Sequence, residues 1–196
     1  PPAAFSFPAP ATTFTAAHPA QVLSFVHPLK LLNRTTDAGT LNGVPRGMTQ
    51  DIVDHLKNHG VRVMLSIGGI TYTKAWNQAL AQDAATLGRN AALVAKTLGV
   101  GIEIDYEENR SPNLAGLEAF IRAYRVEDLQ QAAQAAEQHF LYASLAAAQS
   151  KQDVLEAIAS AFLFPAHFGK NLDALYDCMT DLVHKSGNQT GFVVVL

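Results

Sequence analysis

Apolar residues along this 196-residue chain fall into short runs separated by amphipathic segments. Two β-branched runs, 22–26 and 61–69, are short and continuous, which is typical of buried parallel strands. A third run, 100–107, alternates apolar and acidic residues. Between the second and third runs lies 76–98, rich in Ala, Leu, Gln and Lys, with the length of a crossover helix. The pattern predicts parallel strands joined by helices.

Helical periodicity marks two further segments of the first 124 residues. Residues 48–58 carry an apolar stripe, with Thr49 as a candidate N-cap and Gly60 just past the end. Residues 113–124 repeat apolar positions at core spacing after Ser111 and Pro112. Both segments are predicted helices that cover the strands.

Two segments of the remaining chain are set apart by composition. Residues 125–137 form helix readily but have a thin apolar face, so we expect a helical spacer. Alternatively, this helix packs on the open side of the preceding part. Residues 1–20, rich in Pro and Ala, are expected to be a leader or linker.

Carboxylates occupy every second position of the third run. On a strand, Glu103, Asp105 and Glu107 would share one face. Like charges side by side cost free energy, so this arrangement favours general acid chemistry or ligand binding. The alternative is an edge strand with a solvated acidic face.

Two motifs in this region resemble glycoside hydrolase family 18, the chitinase-like enzymes. They are RVMLSIGG at 62–69 and GVGIEIDYEE at 99–108, and the resemblance covers about residues 20–124. It implies part of a TIM barrel, with substrate-assisted cleavage of N-acetylglucosamine oligomers or chitin-type glycans. By resemblance, Glu107 is the general acid and Asp105 orients the substrate's acetamido group. Glu103 stands where the family has an aspartate, and Val100 where it has the first one.

Residues 164–182 resemble barstar, an intracellular ribonuclease inhibitor, through an aromatic-rich loop followed by GKNLDALYDCMTD. The resemblance implies strands at 140–145 and 192–196, with helices at 150–162 and 171–183 between them. It also implies a barnase-like ribonuclease as partner. It carries binding roles onto five positions: His167, Gly169, Asp173, Tyr176 and Asp177. His167 replaces a family tyrosine, and Lys170 a family acidic residue. Alternatively, Asp173, Asp177 and Asp181 are an ordinary solvated face, because they recur at i, i+4 and i+8.

Together these observations predict an α/β chain with four parts: the leader 1–20, a partial TIM barrel at 21–124, a helical spacer at 125–137 and a partial barstar-like domain at 138–196. Three functions follow. The first is a chitinase-like hydrolase fragment, expected to be inactive as this chain. The second is a barstar-like binding module, and the third is an inactive composite of two truncated domains. The first resemblance implies secretion and the second a cytoplasmic protein.

Composition excludes several classes of function. The net charge is −3 and the pI about 6.2, so no nucleic-acid or anionic-membrane surface is expected. No apolar run reaches the roughly 18 residues of a membrane helix. The single Cys178 excludes an internal disulfide. His55 and His59 lack a third ligand, so we expect neither a metal site nor a cofactor.

Overall fold

The computed structural model describes residues 19–187 and 190–196. The predicted leader lies outside the described residues, apart from its last two positions. The chain divides into two compact units, Pro1–Tyr124 and Arg125–Leu196, called unit 1 and unit 2 below.

Unit 1 is built from three parallel strands and the helices that connect them. Its elements are β1 (Ala20–Val26), α1 (Pro28–Leu32), the hairpin strands β2 (Thr40–Leu41) and β3 (Val44–Pro45), α2 (Gln50–Asn58), β4 (Arg62–Gly68), a 3-10 helix (Ile70–Tyr72), α3 (Thr73–Leu98), β5 (Gly101–Asp105) and the start of α4 (Leu114–Ala135). The sheet order is β1-β4-β5, and both pairings are parallel. The predicted α/β fold with parallel strands is confirmed. The described strands form no closed barrel.

The register of the sheet separates an apolar face from a polar one. Along β4, Val63, Leu65 and Ile67 are buried in cores that include side chains of α1, α2 and α3. The alternate positions face the other way, because successive side chains of a strand point to opposite sides. There Ser66 pairs with Glu103, and Gly68 pairs with Asp105. Glu103 and Asp105 therefore share the face of Ser66 and Gly68, which are both buried, and are themselves half-buried.

The core of unit 1 centres on Trp76, which is fully buried between the sheet and the helices. Its ring packs edge-on against Phe120 of α4, with ring centroids 5.5 Å apart. Gly88 allows α3 and α4 to approach closely, since a Cβ there would lie 2.3 Å from the Phe120 carbonyl oxygen. The crossover helix α3 breaks at Asp83, whose carboxylate accepts a hydrogen bond from the Thr86 N–H at 2.8 Å and caps the second half.

Unit 2 contains β6 (His139–Tyr142), α5 (Lys151–Ala161), α6 (Leu172–Lys185) and β7 (Phe192–Val195). β6 and β7 pair in parallel. Ala143, Ile158 and Phe162 form its core, and Leu175 and Met179 of α6 pack against them. Asn171 caps α6, because its side chain accepts a hydrogen bond from the Ala174 N–H at 2.8 Å.

Three local features differ from the sequence prediction. α1 and the β2–β3 hairpin were not predicted, because two-residue strands and a five-residue helix are too short to show periodicity. The predicted helix 113–124 and most of the predicted spacer 125–137 form the single helix α4. Within the spacer segment Ala133 is buried, whereas Ala132 and Ala136 are exposed.

Candidate functional sites

The first candidate site lies where β5 ends. Glu103 and Asp105 are on the strand and half-buried. β5 stops at Asp105, so Glu107 belongs to the following loop and is exposed, and the expectation that all three carboxylates lie along one strand is wrong for Glu107. Ile104 also differs from expectation, since 37% of its surface is exposed on the face expected to be buried.

Asp105 and Glu107 nevertheless come together. Partial desolvation, the negative charge of Asp105 and a hydrogen bond with its side chain raise the pKa of Glu107. The backbone N–H of Ile70 opposes this effect, because it hydrogen-bonds the ionised carboxylate. A carboxyl group with a raised pKa beside an ionised one is the arrangement that acid catalysis uses. The structure thus pairs two of the three predicted carboxylates.

The strand ends that support this pair fit closely. Gly68 has φ +123°, and a Cβ there would lie 2.1 Å from the Asp105 carbonyl oxygen and 2.3 Å from Trp76 Nε1. The N–H of Gly69 donates to the same carbonyl at 3.0 Å, and Trp76 Nε1 donates to the Ile67 carbonyl at 3.1 Å. Gly68 is therefore needed for the contact between β4 and β5.

Two polar residues of this region were not singled out from the sequence. Ser66 is buried, and its hydroxyl has no hydrogen-bond partner among the described residues. Its position inside a buried apolar run was the available signal. Asn77 of α3 hydrogen-bonds the side chains of Tyr106 and Glu108, the two neighbours of Glu107. An asparagine in a long helix gives no sequence signal for such a role.

The second candidate site lies on α6 and the loop before it. His167, Gly169 and Asp177 line one groove of about 570 Å³, whose wall includes Phe164 and Phe168. Asp173 and Tyr176 are also exposed on α6, but they do not line this groove. Tyr176 is 72% exposed, so its ring is accessible to a partner. The structure therefore divides the five predicted binding residues between the groove and the open face of the helix.

Ion pairs modify the charge of this surface. Lys185 pairs with Asp181 at 2.6 Å, and Lys170 pairs with Glu156 of α5 at 2.8 Å. Within residues 19–187 and 190–196, neither Asp173 nor Asp177 forms an ion pair. These two carboxylates are consequently the ones that can meet an external cation without breaking an internal pair.

The part of the chain that carries the second candidate site matches a known family model. Residues 138–196 match the family model of barstar, described as the barnase inhibitor. The match covers fewer than half of the residues and confirms the predicted resemblance of this barstar-like segment. Searches of curated proteins and of solved structures found no match. Nothing found supports the predicted resemblance of residues 20–124 to glycoside hydrolase family 18.

The described residues contain neither a cluster of metal ligands nor a membrane-spanning helix. No group of three or more His, Cys, Asp or Glu side chains there could hold a metal ion. The rings of His55 and His59 lie 4.5 Å apart on the surface of α2. In the same part of the chain, no helix combines the length and apolar character needed to cross a membrane.

Proposed function

We propose that the barstar-like segment is a binding module for the active site of a barnase-type microbial ribonuclease. The observation that carries this proposal is the family match over residues 138–196. The order of elements along the chain supports it, because α5 and the acidic helix α6 lie between the paired strands β6 and β7. The target site of a ribonuclease binds phosphate and is therefore cationic.

The exposed carboxylates of α6 supply the complementary charge. Asp173 and Asp177 lie one turn apart on one face and stand in for the phosphates of RNA. Asp177 also borders the aromatic groove, where a bound partner would exclude water. A carboxylate that becomes desolvated against Arg, Lys or His contributes more binding energy than one that stays at the rim. Asp177 is accordingly the central residue of the proposed interface.

Replacement of Asp177 tests this function. Asp177→Ala should weaken binding to a barnase-type ribonuclease by roughly 2–5 kcal/mol, because it leaves cationic groups of the nuclease buried without a partner. Isothermal titration calorimetry at low and moderate salt measures the change. Asp181→Ala is the matched control on the same helix face, and it should weaken binding much less because Asp181 is already paired with Lys185.

Two results would count against the proposal. One is the absence of binding heat for the parent chain at both salt concentrations, with its helices shown by circular dichroism. The other is an equal loss of affinity in the Asp177 and Asp181 variants, which would mean that charge number matters and the position of Asp177 does not.

A second candidate function concerns unit 1. We propose that the Asp105–Glu107 pair acts in hydrolysis of N-acetylglucosamine oligomers, with Glu107 as the proton donor. The observation that favours it is the position of both residues at or just after the carboxyl end of β5 in a parallel sheet. Desolvation and the negative charge of Asp105 there raise the pKa of Glu107. In the substrate-assisted reaction, the oxygen of the sugar's acetamide attacks the anomeric carbon, the glycosidic bond breaks, and Glu107 protonates the leaving oxygen. Asp105 stabilises the positive cyclic intermediate. Water, deprotonated by Glu107, then attacks the anomeric carbon, which restores the acetamide and the proton of Glu107.

The test is hydrolysis of a fluorogenic N-acetylglucosamine oligomer by the 196-residue chain. We expect little or no hydrolysis by this chain, since the sheet of unit 1 has only three parallel strands among the described residues, so the test applies to any rate that is measured. Glu107→Gln should abolish that rate because it removes the transferable proton and keeps the size of the side chain. Glu118→Gln, at a 70% exposed side chain of α4, is the control and should retain it. Hydrolysis by the Glu107 variant at the parental rate would exclude Glu107 as the acid.

A further inference from the structure

One side chain holds the loop after β5 against helix α3. Asn77 Oδ1 accepts a hydrogen bond from the Tyr106 hydroxyl, and Asn77 Nδ2 donates to Glu108 Oε2 at 3.1 Å. Both polar atoms of a single amide are thus used. The two residues that they bind are the neighbours of Glu107 on either side.

The same loop is tied down at its far end. Glu108 Oε1 accepts hydrogen bonds from the N–H groups of Arg110 at 2.8 Å and Ser111 at 3.3 Å. The Tyr106 hydroxyl also accepts from the Asn113 N–H at 2.9 Å. Residues 106–113 are therefore folded around two acceptor groups, and Asn77 connects both of those groups to the rigid helix.

Packing strengthens the first of these anchors. The Tyr106 ring lies against Trp76, with ring centroids 5.7 Å apart, and it is packed on the main core of unit 1. The side-chain hydrogen bonds of Asn77 go to Tyr106 and Glu108 and not to Glu107. The Glu107 carboxyl group instead meets Asp105 and the Ile70 N–H, so its position depends on where the backbone between Tyr106 and Glu108 is held.

We propose that Asn77 is a positioning residue, which keeps the Glu107 carboxyl group beside Asp105 by fixing Tyr106 and Glu108 at the same time. Loss of the amide would release both anchors and let the loop move Glu107 away from Asp105. The inference adds a residue to the second candidate function. Its test does not depend on hydrolysis.

The experiment is a titration of the Glu107 carboxyl group by carbon-detected NMR in the full chain. In Asn77→Ala the pKa of Glu107 should fall towards the ordinary value for glutamate, because the negative charge of Asp105 no longer lies close. Tyr106→Phe removes one anchor and keeps the ring, so it should lower the pKa in the same direction by a smaller amount. The buried Trp76 reports by fluorescence whether each variant is folded.

Asn90→Ala is the matched control. Asn90 lies on the same helix, and its Nδ2 also makes two hydrogen bonds, to the carbonyl oxygens of Leu31 at 3.1 Å and Leu32 at 2.9 Å. It should leave the Glu107 titration unchanged.

An unchanged titration in folded Asn77→Ala would overturn the inference, and so would an equal fall in the Asn90 variant. If Asn77→Ala does not fold, an unchanged titration in Tyr106→Phe overturns it. Absence of glycan hydrolysis would contradict only the second candidate function, because the titration is measured without substrate.

Discussion

At the scale of single residues, the glycine at the end of β4 determines how closely the backbone of β5 can approach at the first candidate site. Gly68 and Gly69 both have positive φ, at +123° and +91°, a region that side chains other than glycine's rarely adopt. Gly68 additionally has no room for a Cβ against the Asp105 carbonyl and the Trp76 ring nitrogen. The backbone at Asp105 can lie close to β4 because residue 68 is a glycine.

Gly68→Ala should therefore destabilise unit 1 strongly. Strain at positive φ together with the overlap should lower the free energy of unfolding by roughly 2–4 kcal/mol. Urea unfolding followed by tryptophan fluorescence measures this unit specifically, since Trp76 is the single tryptophan of the chain. Gly47→Ala is the control, because a Cβ at Gly47 meets no atom within 4 Å, and its effect should stay below about 0.5 kcal/mol. Equal midpoints for the two variants would contradict the argument.

At the scale of elements, long periodic segments were predictable and short ones were not. The strands of the parallel sheet and helices α2 and α3 follow from apolar runs, stripes and caps in the sequence, and helices α5 and α6 follow from the resemblance to barstar. The break at Asp83 and the merger of two predicted helices into α4 did not follow, because both depend on tertiary packing and on caps that form only locally. At the candidate sites, the carboxylates could be seen in the sequence as a pattern. The role of Asn77 could not, because its two hydrogen-bond partners lie 29 and 31 positions further along the chain.

The start of α5 allows a test of one predicted element. Ser150 and Asp153 form a capping box, with the Asp153 N–H donating to Ser150 Oγ at 3.2 Å and the Ser150 N–H donating to Asp153 Oδ2 at 3.0 Å. Ser150→Ala removes one half of it and should destabilise α5 by about 1 kcal/mol. Native-state hydrogen exchange at the amides of Leu155 and Ile158 measures the loss of protection.

Ser160→Ala provides the comparison within the same helix. Ser160 is exposed near the end of α5, and alanine is a good helix former, so protection should be unchanged or slightly higher. If both alanine variants exchange at the same rate, the capping box contributes nothing measurable to α5.

At the scale of the whole molecule, charge is modest in sum and uneven in distribution. The chain has 17 acidic and 14 basic side chains, yet α6 alone places Asp173, Asp177 and Asp181 along one face. Such a face attracts a cationic protein over distances comparable to the Debye length, which is about 10 Å at 0.1 M salt. Lys170, in the loop just before α6, adds an opposing charge that is only partly neutralised, since its pair with Glu156 is half-exposed.

Removal of that charge should speed association with a basic ribonuclease. Lys170→Gln frees Glu156 and makes the surface around α6 more negative, so the association rate constant should rise roughly two- to threefold at low salt, with little change in dissociation. Glutamine is preferable to glutamate here, because a second carboxylate would face Glu156 where the ion pair now stands.

Lys151→Gln is the control, because it makes the same change in net charge at the start of α5 and should have a smaller effect on the association rate constant. Stopped-flow mixing at several salt concentrations separates the two variants. Equal rate constants for both, or a difference that persists at 1 M salt where charges are screened within about 3 Å, would show that Lys170 does not act through electrostatic steering.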